Sequence, residues 1–258
     1  MYGLEFALVL GVVLTGVVYA LDVLWLRAQR TAGVTGDVLE PPAIEYARSF
    51  FPVILLVLVV RSFLFEPFRI PSASMVPTLL VGDFIFVNKF SYGIRLPVVH
   101  SELLSFSQPE RGDVVVFRLP SDERVNYIKR VVGLPGDKVS VHSGVVRING
   151  ERVDADVVER YQGPGATSSK LLLMEQLGDR EHEILADVEG RGLPDPLDGD
   201  WVVPDGQYFM MGDNRDNSQD SRHFTVGFVP EENFVGRAEV VWLSVKLPSG
   251  FGLPGIRL

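Results

Sequence analysis

Apolar and polar positions divide the chain near residue 65: two apolar runs flank a polar connection before it, and short runs of Val, Ile, Phe and Tyr broken by Gly, Pro, Asp and Asn follow. Residues 6–21 carry no charge, and the run continues through Asp22 to Leu26, about twenty helical residues and enough for one membrane span. A cleavable leader fits less well. Its basic n-region is missing, Glu5 stands in that place, and Trp25 with Arg27 and Arg30 reads as an interface anchor. The second run, residues 50–60, has eleven apolar residues before Arg61, a length that equally suits a buried core helix. It spans if Arg61 snorkels toward the headgroups and Ser62-Phe63-Leu64-Phe65 completes the helix. The expected organisation is a transmembrane helix over 4–26, a cytoplasmic loop over 27–48, a second transmembrane helix over 49–65 and an extracytoplasmic domain over 66–258. Orientation comes from Arg27, Arg30 and Arg48, which lie in the connection, while only the α-amino group precedes the first helix. Without the second span the large domain would stay in the cytosol.

From Glu66 onward the apolar runs have strand length: 84–87, 113–117, 138–141, 145–148 before the turn Asn149-Gly150, and 238–243. This spacing predicts a mainly β domain. Residues 154–200 hold more charge and turn residues and read as an insertion on the β core, with 163–169 a mobile loop and 248–254 an irregular tail. No internal repeat is apparent.

Composition narrows the function classes. The 258 residues include 33 acidic and 24 basic side chains, net charge −9, the wrong sign for a nucleic-acid binder. A hydrophobic share of 47% fits lipid contact. Zero cysteines exclude a disulfide scaffold, a cysteine nucleophile and a thiolate metal site, yet leave the compartment open.

The candidate chemistry starts at Ser74, in a small polar stretch held between Pro71 and Pro77 just beyond the second apolar run. A serine hydroxyl needs a base to take its proton. The four histidines, His100, His142, His182 and His223, lie in no recognisable triad context. A lysine can serve if burial disfavours its charged form. On an extended strand Lys129 shares a face with Val125, Tyr127 and Val131, while Asn126, Ile128, Arg130 and Val132 point the other way. Arg130 cannot readily lose its proton and is unsuited to be the base. A third block, residues 212–222, offers polar side chains to orient the amine. It fails as a calcium loop, because no Gly stands at the sixth position from Asp213 or Asp216, and Phe224 and Gly227 occupy the twelfth. A Ser-x-x-Lys motif is also absent: Thr167 stands three residues before Lys170.

Taken together, Pro71-Ser72-Ala73-Ser74-Met75, residues 111–117, residues 127–137 and residues 212–222 resemble, in order and wording, bacterial signal peptidase I, the leader peptidase family of serine proteases. The resemblance covers most of the chain. It implies a signal-peptidase-like β fold with an inserted β-rich subdomain, anchored by N-terminal transmembrane α-helices, and a Ser-Lys dyad in which Ser74 attacks and Lys129 is the base. Ser72 and the Ser74 N–H would form the oxyanion hole, Ser218 would hydrogen-bond the Lys129 amine, and Asp220 and Arg222 would pair. Arg215 and Asp113 would be structural supports. Phe68, Ile70, Tyr127 and Ile128 would line pockets for small residues, giving cleavage of the Ala-x-Ala type. The implied partners are signal peptides of exported preproteins and the phospholipid bilayer of the bacterial inner membrane, with the catalytic domain on the periplasmic face, a monomeric state, and neither metal nor organic cofactor. Phe65, Phe68 and Met75 would supply apolar surface near the bilayer. The chain departs from the family at Thr225-Val226, about two residues more than usual, and at His223, where an aromatic residue is common. Two other readings remain: a self-cleaving repressor-type Ser-Lys protease, disfavoured by the apolar segments, and a membrane-tethered β module without chemistry.

Overall fold

The computed structural model describes residues 2–31, 40–95, 102–105, 107–164, 170–187, 195–246 and 250–252. They form two compact units, 1–65 with 93–104, and 66–92 with 105–258.

In the first unit the helix Tyr2–Leu21 continues as a π-helical turn, Asp22–Leu26, and ends at Thr31; a second helix, Pro42–Val59, continues through another π turn to Leu64. Both helices run beyond their apolar stretches. The second starts at Pro42, whose fixed φ suits the first helical position, so residues 42–48 of the expected loop are already helical. The two helices pack where the first lacks side chains: a Cβ on Gly16 would stand 2.9 Å from the Phe51 ring, and Gly11 faces Ile54. Such small-residue contacts allow close helix approach in lipid. Asp22, the one charge within the first apolar stretch, is buried and ion-paired with Arg30. Both helices are long and apolar enough to cross a membrane, and few of their residues are buried in protein.

The second unit is mainly β. Its principal sheet orders the strands Phe65–Arg69, Asp83–Asn88, Phe234–Lys246, Val114–Leu119, Asp122–Gly133, Gln207–Met211 and Val229–Pro230, with Gly250–Gly252 also on Phe234–Lys246. That last pairing places part of the expected irregular tail in the sheet. Alternation along Val114–Leu119 fills both faces: Val114 and Val116 join a core with Met75, Leu79, Ile85 and Ile128, while Val115 and Phe117 join another with Val131, Tyr208 and Phe234. Two small sheets flank it. One pairs Gly199–Val202, Lys138–His142, Val145–Ile148 and Glu151–Arg152, with Asn149 and Gly150 at positive φ in a tight hairpin turn. The other is the three-stranded sheet Ala155–Arg160, Lys170–Leu177 and Arg180–Asp187, within the predicted insertion. Residues 165–169 of the predicted mobile loop lie outside the described residues.

Candidate active site

Residues 70–82 leave the sheet between Phe65–Arg69 and Asp83–Asn88 and return to it, closed by hydrogen bonds from the Ile70 N–H to the Asp83 carbonyl (2.8 Å) and from the Gly82 N–H to the Ile70 carbonyl (2.9 Å). Gly82 has φ +95°, and a Cβ there would lie 2.3 Å from the Val245 carbonyl, so only glycine closes this loop without strain. Met75 and Leu79 anchor it in the core and are fully buried. Met75 therefore presents no apolar surface to a bilayer, contrary to the expectation from sequence, while Phe65 is exposed and Phe68 half-buried.

Anchored in this way, Ser74 meets Lys129 of the strand Asp122–Gly133: the amine donates to Ser74 Oγ at 2.7 Å and to the Ile128 carbonyl at 2.8 Å. Both side chains are buried. Lys129 is 4% exposed, and Tyr127 places its ring centre 5.3 Å from Nζ. Burial pushes the amine from its ordinary 10.5 down to about 8, against the pull of the Asp220 and Asp213 carboxylates, which favour the ammonium. Ser72 is exposed, its hydroxyl 3.4 Å from Ser74 Oγ.

The block 212–222 holds this pair from below. The Asn214 N–H donates to the Ser74 carbonyl (3.0 Å), and the Asn214 side-chain amide donates to the Ala73 carbonyl (3.0 Å). Gly212 lies so close that a Cβ would meet Ser218 Oγ at 2.2 Å and the Ser74 carbonyl at 2.5 Å. Arg222 grips Asp220 through Nε (2.8 Å) and Nη2 (2.9 Å), the pair expected from the resemblance. Burial works to raise the Asp220 carboxyl, but Arg222, the Gly212 N–H and Ser218 outweigh it and hold it below the usual range. Ser218 departs from expectation. Its buried hydroxyl bears on the Asp220 carboxylate rather than on the Lys129 amine, whose hydrogen bonds go to Ser74 and Ile128. Arg215 reaches the buried Glu175 with both terminal nitrogens, Nη1 at 2.6 Å. Asp113 accepts from Arg180 (2.5 Å), the Tyr92 hydroxyl (3.0 Å) and the Glu110 N–H (3.0 Å). Of the four expected pocket residues, Ile70 and Ile128 are buried in the core that holds Met75, with Phe68 packed against it. Tyr127 packs on the other core and donates its hydroxyl to Gln219 at 3.0 Å. His223 accepts from the Asp220 N–H in a tight turn.

Sequence reasoning missed the partner of Arg130. Ile128 and Val132, on the face opposite Lys129, are as buried as Val131, so Arg130 is buried as well and must be paired. Asp213 supplies the charge in a fork of 2.8 and 2.7 Å, Thr78 donates to the same carboxylate at 2.5 Å, and Arg130 Nη1 donates to the Gly112 carbonyl at 2.7 Å. Burial would raise the Asp213 carboxyl; Arg130 more than reverses this and lowers it. The available signal was an arginine beside a buried lysine on a strand covered on both faces. Glu175 and His182, in the insertion, were missed too. Among the described residues no group of His, Asp and Glu is arranged to hold a metal ion.

The chain is a serine peptidase: it belongs to the signal peptidase family, peptidase S26, whose profile matches residues 43–243. It is 48% identical to the signal peptidase I of Pseudomonas fluorescens, over 96% of this chain and 94% of that one. The signal peptidase I of Pseudomonas aeruginosa is 46% identical, again over 96% of this chain and 94% of the relative. A crystal structure of a signal peptidase I from Enterococcus faecalis V583 aligns with 27% identity over 52% of this chain and 98% of that one, at a TM-score of 0.30.

Proposed function

We propose that this peptidase removes signal peptides from exported preproteins with Ser74 as nucleophile and Lys129 as general base, after small residues of the Ala-x-Ala type. The supporting observation is the buried Lys129 amine, 2.7 Å from Ser74 Oγ and with its pKa brought down to about 8. Neutral Nζ takes the hydroxyl proton as Oγ bonds to the scissile carbonyl carbon. The oxyanion so formed accepts from the Ser72 hydroxyl and the Ser74 N–H. As the carbon–nitrogen bond breaks, the Lys129 ammonium returns its proton to the leaving amine, leaving the signal peptide esterified to Ser74. Water, deprotonated by the same amine, attacks the ester carbon; as the carbon–Oγ bond breaks the Lys129 ammonium returns the proton to Ser74 Oγ, releasing the signal peptide as its carboxylate. Phe68, Ile70, Tyr127 and Ile128 line the pockets that admit only small side chains, the Asp220–Arg222 pair stiffens the block 212–222, and Asp113 and Arg215 are structural supports through Arg180 and Glu175.

Two helices of spanning length and composition support a membrane anchor, and the arginines between them favour a cytoplasmic connection, which on this proposal puts the catalytic unit on the periplasmic face. On this reading the substrate's cut site arrives beside Ser74 at the bilayer surface, where phospholipid aids the reaction and a single chain suffices. Purified enzyme will cleave a preprotein after Ala-x-Ala, and Ser74→Ala and Lys129→Ala will each lose about 10³-fold or more in kcat while keeping the wild-type circular dichroism spectrum. Retained cleavage by folded Ser74→Ala removes the proposal.

A further inference from the structure

Near the dyad runs a buried line of ionisable side chains, Arg130, Asp213, His182, Glu175 and Arg215, in which each side chain approaches the next within 4.0 Å. His182 is its middle member. It lies on the strand Arg180–Asp187 directly opposite Glu175, with 7% of its side chain exposed, and its Nε2 is 3.1 Å from Glu175 Oε2 and 4.0 Å from Asp213 Oδ1. The imidazole thus faces both carboxylates, closer to Glu175 than to Asp213. Behind those carboxylates stand Arg215 and Arg130, and on its other side His182 borders an open cavity of about 750 Å³ with charged walls Asp113, Arg180, Arg237 and Glu239 and its own neighbours Glu181 and Glu183.

The strand that carries His182 also runs beside the segment under the nucleophile. The Leu185 N–H donates to the Asp213 carbonyl at 2.8 Å, Leu185 and Asn214 form a parallel bridge, and the Asp187 N–H donates to Asp216 Oδ2 at 2.6 Å. One residue along from Asp213, Asn214 holds the Ser74 and Ala73 carbonyls. The path from the insertion to the nucleophile is therefore two contacts long.

We infer that His182 is a positioning residue for Ser74: seated between Glu175 and Asp213, it locks the three-stranded sheet against residues 213–216 and so fixes the height of Ser74 beneath the scissile carbonyl. This rests on Ser74 being the nucleophile. His182 touches no reacting atom, and its effect falls on the turnover step, where a displacement near 1 Å costs up to about 10²-fold.

The test compares wild type, His182→Leu, His182→Gln and Ser74→Ala, all full-length in detergent, on a peptide with an Ala-x-Ala site, well below each melting temperature. His182→Leu will lose about tenfold or more in kcat with KM within about twofold of wild type, because the substrate pocket is untouched. His182→Gln, which restores a polar group between the carboxylates, will recover most of that kcat. The inference is overturned by wild-type kcat in His182→Leu, by a change in KM alone, by equal loss in the Leu and Gln variants, or by a loss that only matches the unfolded fraction. Cleavage by Ser74→Ala would instead sink the serine mechanism itself; an inactive Ser74→Ala beside an unimpaired His182→Leu sinks only the role of His182.

Discussion

The Lys129 amine has lost its hydration without gaining a carboxylate at ion-pair distance among the described residues, and Asp213 and Asp220 act on it only through space. Its pH behaviour follows. On the proposed mechanism the neutral amine is the base, so with a pKa of about 8 roughly one-tenth of the enzyme is competent at pH 7. The value of kcat/KM will rise about tenfold per pH unit below that point and flatten above it; a profile already flat from pH 6 would mean that the base is another group. The same depression has a cost in stability. The unfolded chain, with its lysine near 10.5, binds a proton that the folded chain releases at about 8, so stability rises with pH between these values. Below pH 8 the penalty is about 3 kcal/mol. Lys129→Met removes the charge and keeps the stem, so the inactive variant will melt above wild type at pH 7, with the gap nearly closed by pH 10.5. A gap that does not change with pH would show that desolvation is not what sets this amine.

Lys129 and Arg130 are consecutive on one strand, and the strand explains why they need different partners. Both are buried, but the lysine can shed its charge and the guanidinium cannot, so only Arg130 requires an anion, and Asp213 provides it. Asp213→Asn strands that cation and will destabilise the large unit by about 3–5 kcal/mol in denaturant unfolding. It also removes one of the two carboxylates that favour the lysine ammonium, so whatever activity survives will show its acid limb at lower pH. An unchanged midpoint would mean that Arg130 finds other acceptors. This pair marks the limit of what could be read from sequence. The meeting of Ser74 with Lys129 and the Asp220–Arg222 fork were legible because each residue sits in a short run whose residue types have few other uses, and Asn149-Gly150 announced its hairpin through the conformation it demands. Arg130 with Asp213, and His182 with Glu175 and Arg215, were not legible, because the pairing depends on which strands become neighbours. The helix ends were also missed, since Pro42 starts a helix for a backbone reason while the sequence argument followed apolarity.

For the whole molecule, the proposed orientation in a membrane rests on the arginines near the ends of the two long helices. Arg30 pairs with Asp22 and Arg48 with Glu40, at 2.8 Å in the second case, so the local net charge of the connection is smaller than its count of arginines. Orientation follows the basic residues themselves, because acidic partners contribute little to the bias. The connection is thus expected to stay in the cytoplasm even though two of its cations are paired. Protease added to intact spheroplasts will then digest the unit from residue 66 onward and spare an N-terminal fragment that holds both helices. In inverted vesicles, cleavage will fall in the connection between the two helices, and the large unit will be protected. The converse pattern would confine Ser74 to the cytosol, where a preprotein would meet it before export and lose the segment that directs it to the membrane, so the proposed role requires the first outcome.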